Sequence, residues 1–320
     1  MTSVRVADSV ISREFGGTLV VLDVERRAYF QLDRTAAAIW RAIELLGQLE
    51  SVIDACASTF AVDSAVVAHD VRGLVADAVG WGLLAEGSDT NLPNDPEPAG
   101  DVPPLSVDRA GLRIPGDLDE LRRQFAEQPY VEVPGFVAPA LLSIVERAMN
   151  ASDFAHRAHP GIGEELCLES GPATAACQLV FNDPALLDVM TKIAACSALR
   201  CFDGRVYRLE PQAGHYDSWH SDASDDRMVG LSVNLSREPF SGGVLEIRRA
   251  ASQQAEYTVP RVAFGSAVLF RISPALRHRV TPVRGGVART AYAGWFRASP
   301  DFADVFTRAL NGRGASAVVE

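Results

Sequence analysis

Apolar positions in the first 90 residues follow a strand pattern at first and a helical pattern afterwards. Two short runs rich in β-branched residues, Thr18–Asp23 and Ala28–Leu32, flank a polar turn and predict a β-hairpin. A further strand is expected at Val4–Ile11. Apolar residues then recur at helical spacing in three segments: Arg34–Leu46, Ser51–Phe60 and Ser64–Trp81. This order predicts a small winged-helix-like α+β domain, with a β-hairpin followed by three helices.

The periodic pattern stops in residues 85–105, where five prolines and five acidic residues occur without a basic one. Sequence of this composition stays extended and solvated. We therefore expect a first domain at residues 1–87, a linker at residues 88–105 and a second domain at residues 106–320.

In the second domain, helical patterns come first and short strand-like runs crowd together afterwards. Helices are predicted at Ala138–Asn150 and Pro184–Cys196. The strand candidates are Val131–Val137, Arg205–Leu209, Gly230–Leu235, Gly243–Arg248, Ala267–Arg271 and Thr290–Phe296. Several short strands separated by turn residues are typical of a sandwich or jelly roll. The fold class expected for the whole chain is α+β, with a double-stranded β-helix (jelly roll) and its N-terminal helices after the small domain.

Charge changes the interpretation of the first domain. The 320-residue chain has a net charge of −11, and residues 1–90 carry 7 arginines and no lysine against 13 acidic residues. A winged helix that binds DNA needs positive charge toward the phosphates, so we expect no nucleic-acid partner. No stretch reaches the roughly 18–20 apolar residues of a membrane helix, and the first residues lack the apolar core of a signal peptide. Together with five cysteines that form no paired motif, this predicts a protein of the bacterial cytoplasm with reduced thiols.

Peptide capture is the other use of this shape, because an edge strand beside a helix can accept an extended peptide. Residues 19–44 (LVVLDVERRAYFQLDRTAAAIWRAIE), 51–60 and 66–84 resemble PqqD-like proteins, the RiPP recognition element. That family binds the leader of a ribosomal precursor peptide between its third strand and third helix. The resemblance implies a leader-binding surface made of Tyr29, Phe30, Gln31, Leu32, Val67, Val71, Arg72 and Val75. Core packing is the alternative role for Phe30 and Val71, as for Ile39 and Trp40, whereas Arg72 is the better candidate for a contact with an acidic leader.

Candidate chemistry in the second domain centres on histidines, of which the chain has only six. Two overlapping His-x-Asp pairs, His215–Asp217 and His220–Asp222, lie shortly before the strand at Gly230, and His278 follows further on. Because side chains alternate along a strand, His-x-Asp places both groups on one face. Two imidazoles and one carboxylate suit Fe(II) and leave coordination positions open for a co-substrate and oxygen.

The motifs downstream resemble those of Fe(II)/2-oxoglutarate dioxygenases, especially the prolyl-4-hydroxylase-like branch. They are the segments SVNL (232–235), SGGVL (241–245), GSAVLF (265–270), HRVTPV (278–283), Arg289 and the Gly294–Trp295 pair. The resemblance implies iron ligation by His220, Asp222 and His278, with His215 and Asp217 as the second-choice pair. It implies that Arg289 binds the distal carboxylate of 2-oxoglutarate, with Arg279 and Arg284 as rivals, and that Tyr207 adds a hydrogen bond to the co-substrate. Trp219, Asn234 and Trp295 are expected as pocket walls or core.

Related halogenases lack the carboxylate ligand, so Asp222 implies hydroxylation with Fe(II), 2-oxoglutarate and O₂. Joined to a leader-binding module, such a domain predicts a RiPP tailoring enzyme that hydroxylates a core-peptide side chain of a ribosomal precursor peptide. A small-molecule or amino-acid hydroxylase with a vestigial first domain is the alternative, and a non-catalytic peptide-binding protein is a third. Desaturation and cyclisation would use the same ligands, and the sequence identifies neither the oxidised residue nor the precursor.

Overall fold

The computed structural model describes residues 2–87 and 102–303, which form two compact units. The first unit contains residues 2–87 and the second contains residues 102–303. The predicted linker at 88–105 lies outside the described residues except for its last four positions, of which Leu105 is fully buried. No helix within either described range is long and apolar enough to span a bilayer.

The first unit is a three-stranded antiparallel sheet covered by three helices. Its elements are β1 (Ser3–Val6), β2 (Val10–Phe15), β3 (Thr18–Asp23), β4 (Ala28–Leu32), α1 (Arg34–Leu46), α2 (Leu49–Phe60), α3 (Ser64–Gly80) and β5 (Leu84–Gly87). The sheet has the order β2-β3-β4, and a separate antiparallel pair joins β1 to β5. The predicted hairpin is therefore present as β3–β4, and β2 extends it to three strands.

The single strand expected at Val4–Ile11 is divided in the structure. A turn closed by the hydrogen bond from Val10 N to Ala7 O separates β1 from β2. The two strands then enter different sheets, because β1 pairs with β5 and β2 pairs with β3.

Helix α1 covers the sheet with the apolar face that its sequence spacing predicts. Ile39, Trp40 and Ile43 are buried in the core. The Asp33 carboxylate accepts a hydrogen bond from Ala36 N at 2.8 Å and so caps the first turn. At the other end, Gly47 adopts a left-handed conformation with φ 66° and ends the helix.

The second unit begins with short elements and helices and continues into the strands of the jelly roll. Its elements are β6 (Ser106–Val107), β7 (Leu112–Arg113), α4 (Leu118–Glu127), β8 (Tyr130–Val133), α5 (Pro139–Asn150), β9 (Ala155–His159), β10 (Gly163–Leu168), α6 (Pro172–Phe181), α7 (Pro184–Ala194), β11 (Cys201–Leu209), β12 (Tyr216–Asp217), β13 (Arg227–Asn234), β14 (Ser241–Gly242), β15 (Leu245–Arg249), β16 (Tyr257–Thr258), β17 (Ala267–Arg271), β18 (Leu276–Val280), β19 (Val283–Arg284) and β20 (Arg289–Arg297).

A large antiparallel sheet and a small one form the curled jelly roll that the sequence predicts. The large sheet has the order β12-β10-β11-β20-β13-β17-β8, with β9 on the far side of β10. The small sheet has the order β16-β15-β18. Ile247 of the small sheet shares a buried cluster with Val268 and Phe270 of the large sheet, so the two sheets pack face to face through apolar residues.

The central strands of the large sheet point alternate residues to opposite faces, and this alternation places the site. On one face, Phe202 and Tyr292 pack against Phe181 of α6, with ring centroids 5.7 and 5.1 Å from the Phe181 ring. The opposite face carries Tyr207 on β11 and its cross-strand neighbour Ala291 on β20. Because strand side chains have a period of two, Arg289 lies on the same face as Ala291. Helices therefore cover one side, and the polar residues lie on the side of the small sheet.

Candidate metal centre

His220, Asp222 and His278 come together where the chain after β12 meets the small sheet. His278 lies in the middle of β18, and His220 follows β12. A two-way backbone bridge joins these histidines, with His220 N to His278 O at 3.1 Å and His278 N to His220 O at 3.0 Å. The bridge fixes both imidazoles side by side, with ring centroids 4.4 Å apart.

The three side chains have a geometry that one metal ion can satisfy. His278 Nε2 lies 3.2 Å from Asp222 Oδ2, and His220 Nε2 lies 3.9 Å from Asp222 Oδ1. One donor atom from each residue falls within 4.8 Å of the other two, and no other such group occurs in residues 2–87 and 102–303. Two imidazoles and one carboxylate form the donor set of mononuclear non-haem iron sites, so these residues fit Fe(II).

Asp222 is held as a carboxylate by hydrogen bonds that outweigh its burial. Trp295 Nε1 donates to Asp222 Oδ2 at 2.7 Å, and Arg227 Nη1 approaches Oδ1 at 3.5 Å. The Arg227 guanidinium also lies over the Trp295 ring, 3.8 Å from its centroid. Burial favours the neutral acid, but the hydrogen bonds from His278 and Trp295 hold the pKa of Asp222 below its ordinary value. The carboxylate is therefore oriented and charged before any ion binds.

His220 is oriented by acceptors on its Nδ1 side. Nδ1 lies 2.7 Å from the carbonyl oxygen of Ser218 and 3.2 Å from Asp217 Oδ1. Because a carbonyl oxygen can only accept, Nδ1 carries the proton and Nε2 is the nitrogen left for a metal. Burial opposes the charged imidazole, but the Asp217 carboxylate and the Ser218 carbonyl outweigh it and raise the pKa of His220 to about 9.

The second-choice pair, His215 and Asp217, is not assembled as a chelate. His215 Nδ1 accepts a hydrogen bond from Glu210 N, and its ring packs near His156 with centroids 6.3 Å apart. Asp217 instead connects His220 to β18, because its Oδ2 accepts a hydrogen bond from Val280 N at 2.7 Å. The sequence suggested Asp217 only as a ligand, and a supporting role beside His220 has no sequence signal of its own.

Arg289 lines a cavity between the two sheets. The cavity holds about 400 Å³ including its open mouth, and its lining includes Ser232, Asn234, Val268 and Leu245. Arg289 Nη2 donates to Ser232 Oγ at 3.2 Å, which is its only hydrogen bond to any described residue. Burial lowers the pKa of Arg289 to about 10, and the guanidinium remains charged at neutral pH. A half-buried cation with unused donors on a cavity wall is suited to an anionic ligand.

A glycine leaves the space that the Arg289 stem occupies. Gly243 has φ 61°, and a Cβ atom there would lie 2.7 Å from Arg289 Cδ. Any other residue would therefore be strained and would displace the guanidinium.

The other residues predicted to line the co-substrate pocket lie partly on the face of Arg289 and partly elsewhere. Tyr207 is half-buried on the same face as Arg289, and burial raises its pKa to about 12. The rival Arg279 forms an ion pair with Glu246 at 2.8 Å, and the other rival, Arg284, is exposed on β19. Trp219 lies between the guanidinium groups of Arg248 and Arg279, at 4.5 and 4.7 Å.

The predicted leader-binding residues separate into buried and accessible groups. Phe30, Leu32, Val67, Val71 and Val75 lie in the core of the first unit. Tyr29 and Gln31 are half-buried on β4, and Arg72 is exposed on α3. Arg72 lies 3.1 Å from Glu50 in an exposed ion pair. Within the described part of the chain, β4 pairs with β3 alone, so its other edge offers backbone groups for pairing.

Two family models match this chain, one in each unit. Residues 18–84 match the model described as coenzyme PQQ synthesis protein D (PqqD), and residues 204–297 match the 2OG-Fe(II) oxygenase superfamily. These matches confirm both resemblances that the sequence motifs indicate. The comparison with curated proteins finds no match.

Solved structures resemble each half separately. An oxidoreductase of the 2OG-Fe(II) oxygenase family from Burkholderia pseudomallei is 14% identical, covers 61% of this chain and 97% of its own, and has a TM-score of 0.45. A prolyl-4-hydroxylase from Pseudomonas putida is 22% identical over 57% of this chain and 100% of its own, with a TM-score of 0.43. TbiB1 in complex with the TbiA(beta) leader peptide is 27% identical over 27% of this chain and 99% of its own, with a TM-score of 0.25.

Proposed function

Since this chain joins a PqqD-like module to a 2OG-Fe(II) oxygenase domain, we propose that it is a tailoring enzyme that hydroxylates a side chain of a ribosomally made precursor peptide. The observation that carries the proposal is the convergence of His220, Asp222 and His278 within the oxygenase domain of a chain that also carries a leader-recognition module. Asp222 argues for hydroxylation, because the metal keeps its third protein ligand.

His220, Asp222 and His278 hold Fe(II) in this proposal. With 2-oxoglutarate and O₂, bound Fe(II) supplies the oxidising power needed to hydroxylate an unactivated C–H bond. The chain itself supplies orientation. Asp217 and the Ser218 carbonyl keep the proton on Nδ1 of His220, and Trp295 fixes the Asp222 carboxylate.

Arg289 holds the distal carboxylate of 2-oxoglutarate in the cavity between the sheets. Its guanidinium is charged, half-buried and hydrogen-bonded only to Ser232 Oγ among the described residues, so donors remain for a carboxylate. Tyr207 lies on the same face of the sheet and provides a further hydrogen bond to the co-substrate.

The first unit holds the leader by strand addition along β4. Backbone groups at the outer edge of β4 supply hydrogen bonds, and the β4–α3 surface supplies side-chain contacts. Tyr29, Gln31 and Arg72 are the accessible members of this surface, while the buried Phe30, Leu32, Val67, Val71 and Val75 fix its shape. A tether between leader site and oxygenase raises the effective core-peptide concentration to the order of millimolar.

The test is co-expression of the full chain with each short peptide encoded near its gene, followed by mass spectrometry of the peptide. We expect one peptide to gain the mass of one oxygen atom, and we expect a leaderless version of it to react far less. His220→Ala should abolish the product, whereas the matched His215→Ala should retain it, because His215 lies outside the metal cluster.

Three results would contradict parts of the proposal. If no peptide is modified, the proposal that the chain is a peptide hydroxylase is wrong. If leaderless peptides or free amino acids are oxidised as well as the full precursor, the first unit does not have the proposed leader-binding role. Persistent oxidation in His220→Ala would show that the ligand assignment is wrong.

A further inference from the structure

The β9–β10 hairpin contributes one more acidic side chain to the face that carries the candidate site. Gly163 of β10 pairs with Asp217 of β12, and Cys167 of β10 pairs with Tyr207 of β11. Cross-strand partners point to the same face, and alternate residues of one strand do so too. Glu165, which lies between Gly163 and Cys167, therefore shares a face with Asp217 and Tyr207. The preceding residue, Glu164, points to the other face.

Glu165 is buried on this face without a charged partner. Its side chain is only 14% exposed, and the nearest titratable nitrogen is His159 Nε2, 3.6 Å from Glu165 Oε1. The nearby Arg157 forms its ion pair with Glu169 instead, at 3.2 Å. No lysine or arginine in residues 2–87 and 102–303 forms an ion pair with Glu165.

The surroundings make this carboxylate costly to ionise. Burial, followed by the charge of Asp217, raises the pKa of Glu165 to about 7. Burial and the neighbouring Arg157 lower the pKa of His159, so this imidazole is neutral at pH 7 and does not compensate the carboxylate. A buried acid in such surroundings is stabilised when an incoming cation pairs with it.

We propose that Glu165 is a specificity residue that binds the positively charged side chain of a lysine or arginine of the core peptide beside the metal centre. The proposal rests on the proposed peptide-hydroxylase function and names the class of side chain that this function selects. Asp217, opposite Gly163 on the face of Glu165, lies 3.2 Å from His220 Nδ1, so a residue paired with Glu165 would lie close to the metal ligands. The face that it shares with Tyr207 and Asp217 is the one that carries Arg289 and the co-substrate cavity.

The experiment measures binding of acetyl-Gly-Gly-X-Gly-Gly-amide peptides, in which X is Lys, Arg, Gln, Met, Asp or Glu. The full chain is loaded with Fe(II) and 2-oxoglutarate without oxygen, and retained peptide is quantified by mass spectrometry after equilibrium dialysis. We expect the Lys and Arg peptides to be retained about 10-fold or more over the Gln and Met peptides, the range of a charge-assisted hydrogen bond.

Glu165→Gln should remove this preference, and Glu165→Lys should reverse it in favour of the Asp and Glu peptides. Glu164→Gln is the matched control, because it makes the same change on the opposite face, and it should behave as the wild type.

Equal retention of all peptides by the wild type, or retention of none, would overturn the assignment of Glu165. An undiminished Lys and Arg preference in Glu165→Gln would overturn it too. Anaerobic titrations with Fe(II) and 2-oxoglutarate keep this result separate from the proposed function. If the wild type binds both but shows no charge preference, only the Glu165 proposal fails. If it binds neither, the proposed function fails.

Discussion

Asp217 contacts His220 at Nδ1, whereas Nε2 of the same ring is the nitrogen near Asp222. One of its oxygens faces His220 Nδ1 and the other accepts a hydrogen bond from Val280 N, so it links the first histidine to the strand of the second. Groups that orient a ligating histidine in this way affect metal affinity strongly.

We expect Asp217→Asn to weaken Fe(II) binding about 10- to 100-fold, in the range found for such supporting groups. Asparagine keeps an oxygen for Val280 N but loses the negative charge beside the imidazole, so the fold should be retained. Anaerobic Fe(II) titration of the metal-free chain measures the affinity. Asp225→Asn is a suitable control three residues beyond Asp222, because no hydrogen bond or ion pair joins Asp225 to another described residue. If Asp217→Asn binds Fe(II) with unchanged affinity, Asp217 does not support His220 as a metal ligand.

The buried Glu165 predicts a pH-dependent loss of stability. Its pKa is about 7 in the folded chain and near 4.5 when unfolded. The folded state therefore favours the neutral acid, and the contribution present below pH 4.5 is lost as the pH rises through 7. We expect Glu165→Gln to gain up to about 3 kcal/mol of unfolding free energy over the wild type between pH 4.5 and 7.5. Urea unfolding of the metal-free protein measures this gain, and a difference that does not change with pH would contradict it.

Single residues also show where sequence reasoning ends. The two overlapping His-x-Asp pairs are equivalent in local chemistry, and only the order of downstream motifs favoured His220 and Asp222. In the structure His220 and Asp222 lie beside His278, whereas His215 accepts a hydrogen bond from Glu210 N and lies outside this cluster. Nothing local distinguishes Glu165 from Glu164, since only the pairing of β10 with two other strands decides which one points to the site.

At the scale of elements, the boundaries of α1 were predictable because several signals coincide. Apolar residues at helical spacing, Asp33 at the start and Gly47 at the end all specify the same 13 residues. Helix α6 was missed because it is buried nearly all round and so has no polar stripe to reveal its period. The hairpin β9–β10 was missed because β9 is an exposed edge strand without apolar alternation.

The cap of α1 gives a prediction for this element. Asp33→Ala should lower the local stability of α1 by about 1 kcal/mol, because Ala36 N loses its acceptor. Amide hydrogen exchange of peptides covering residues 34–46 measures this directly. The exposed Asp54→Ala in α2 serves as the comparison and should change exchange by less than about 0.5 kcal/mol. Equal protection of α1 in Asp33→Ala and the wild type would show that the cap contributes little.

At the scale of the whole molecule, two folds with separate cores share one chain, and the sequence indicated both. The change between strand and helical periodicity was sufficient for the fold class. The jelly roll was predictable because each strand carries its own alternation, whereas the pairing order of the sheet depends on contacts distant in sequence. The cluster of His220, Asp222 and His278 depends on that pairing, since a backbone bridge joins His220, after β12, to His278 of β18.

The pairing of β1 with β5 sets Ser3 directly opposite Gly87. Antiparallel partners are separated by only about 5 Å, so the entry and exit of the first unit are neighbours. Because neighbouring chain ends favour domain insertion, the first unit is suited to transfer as a whole.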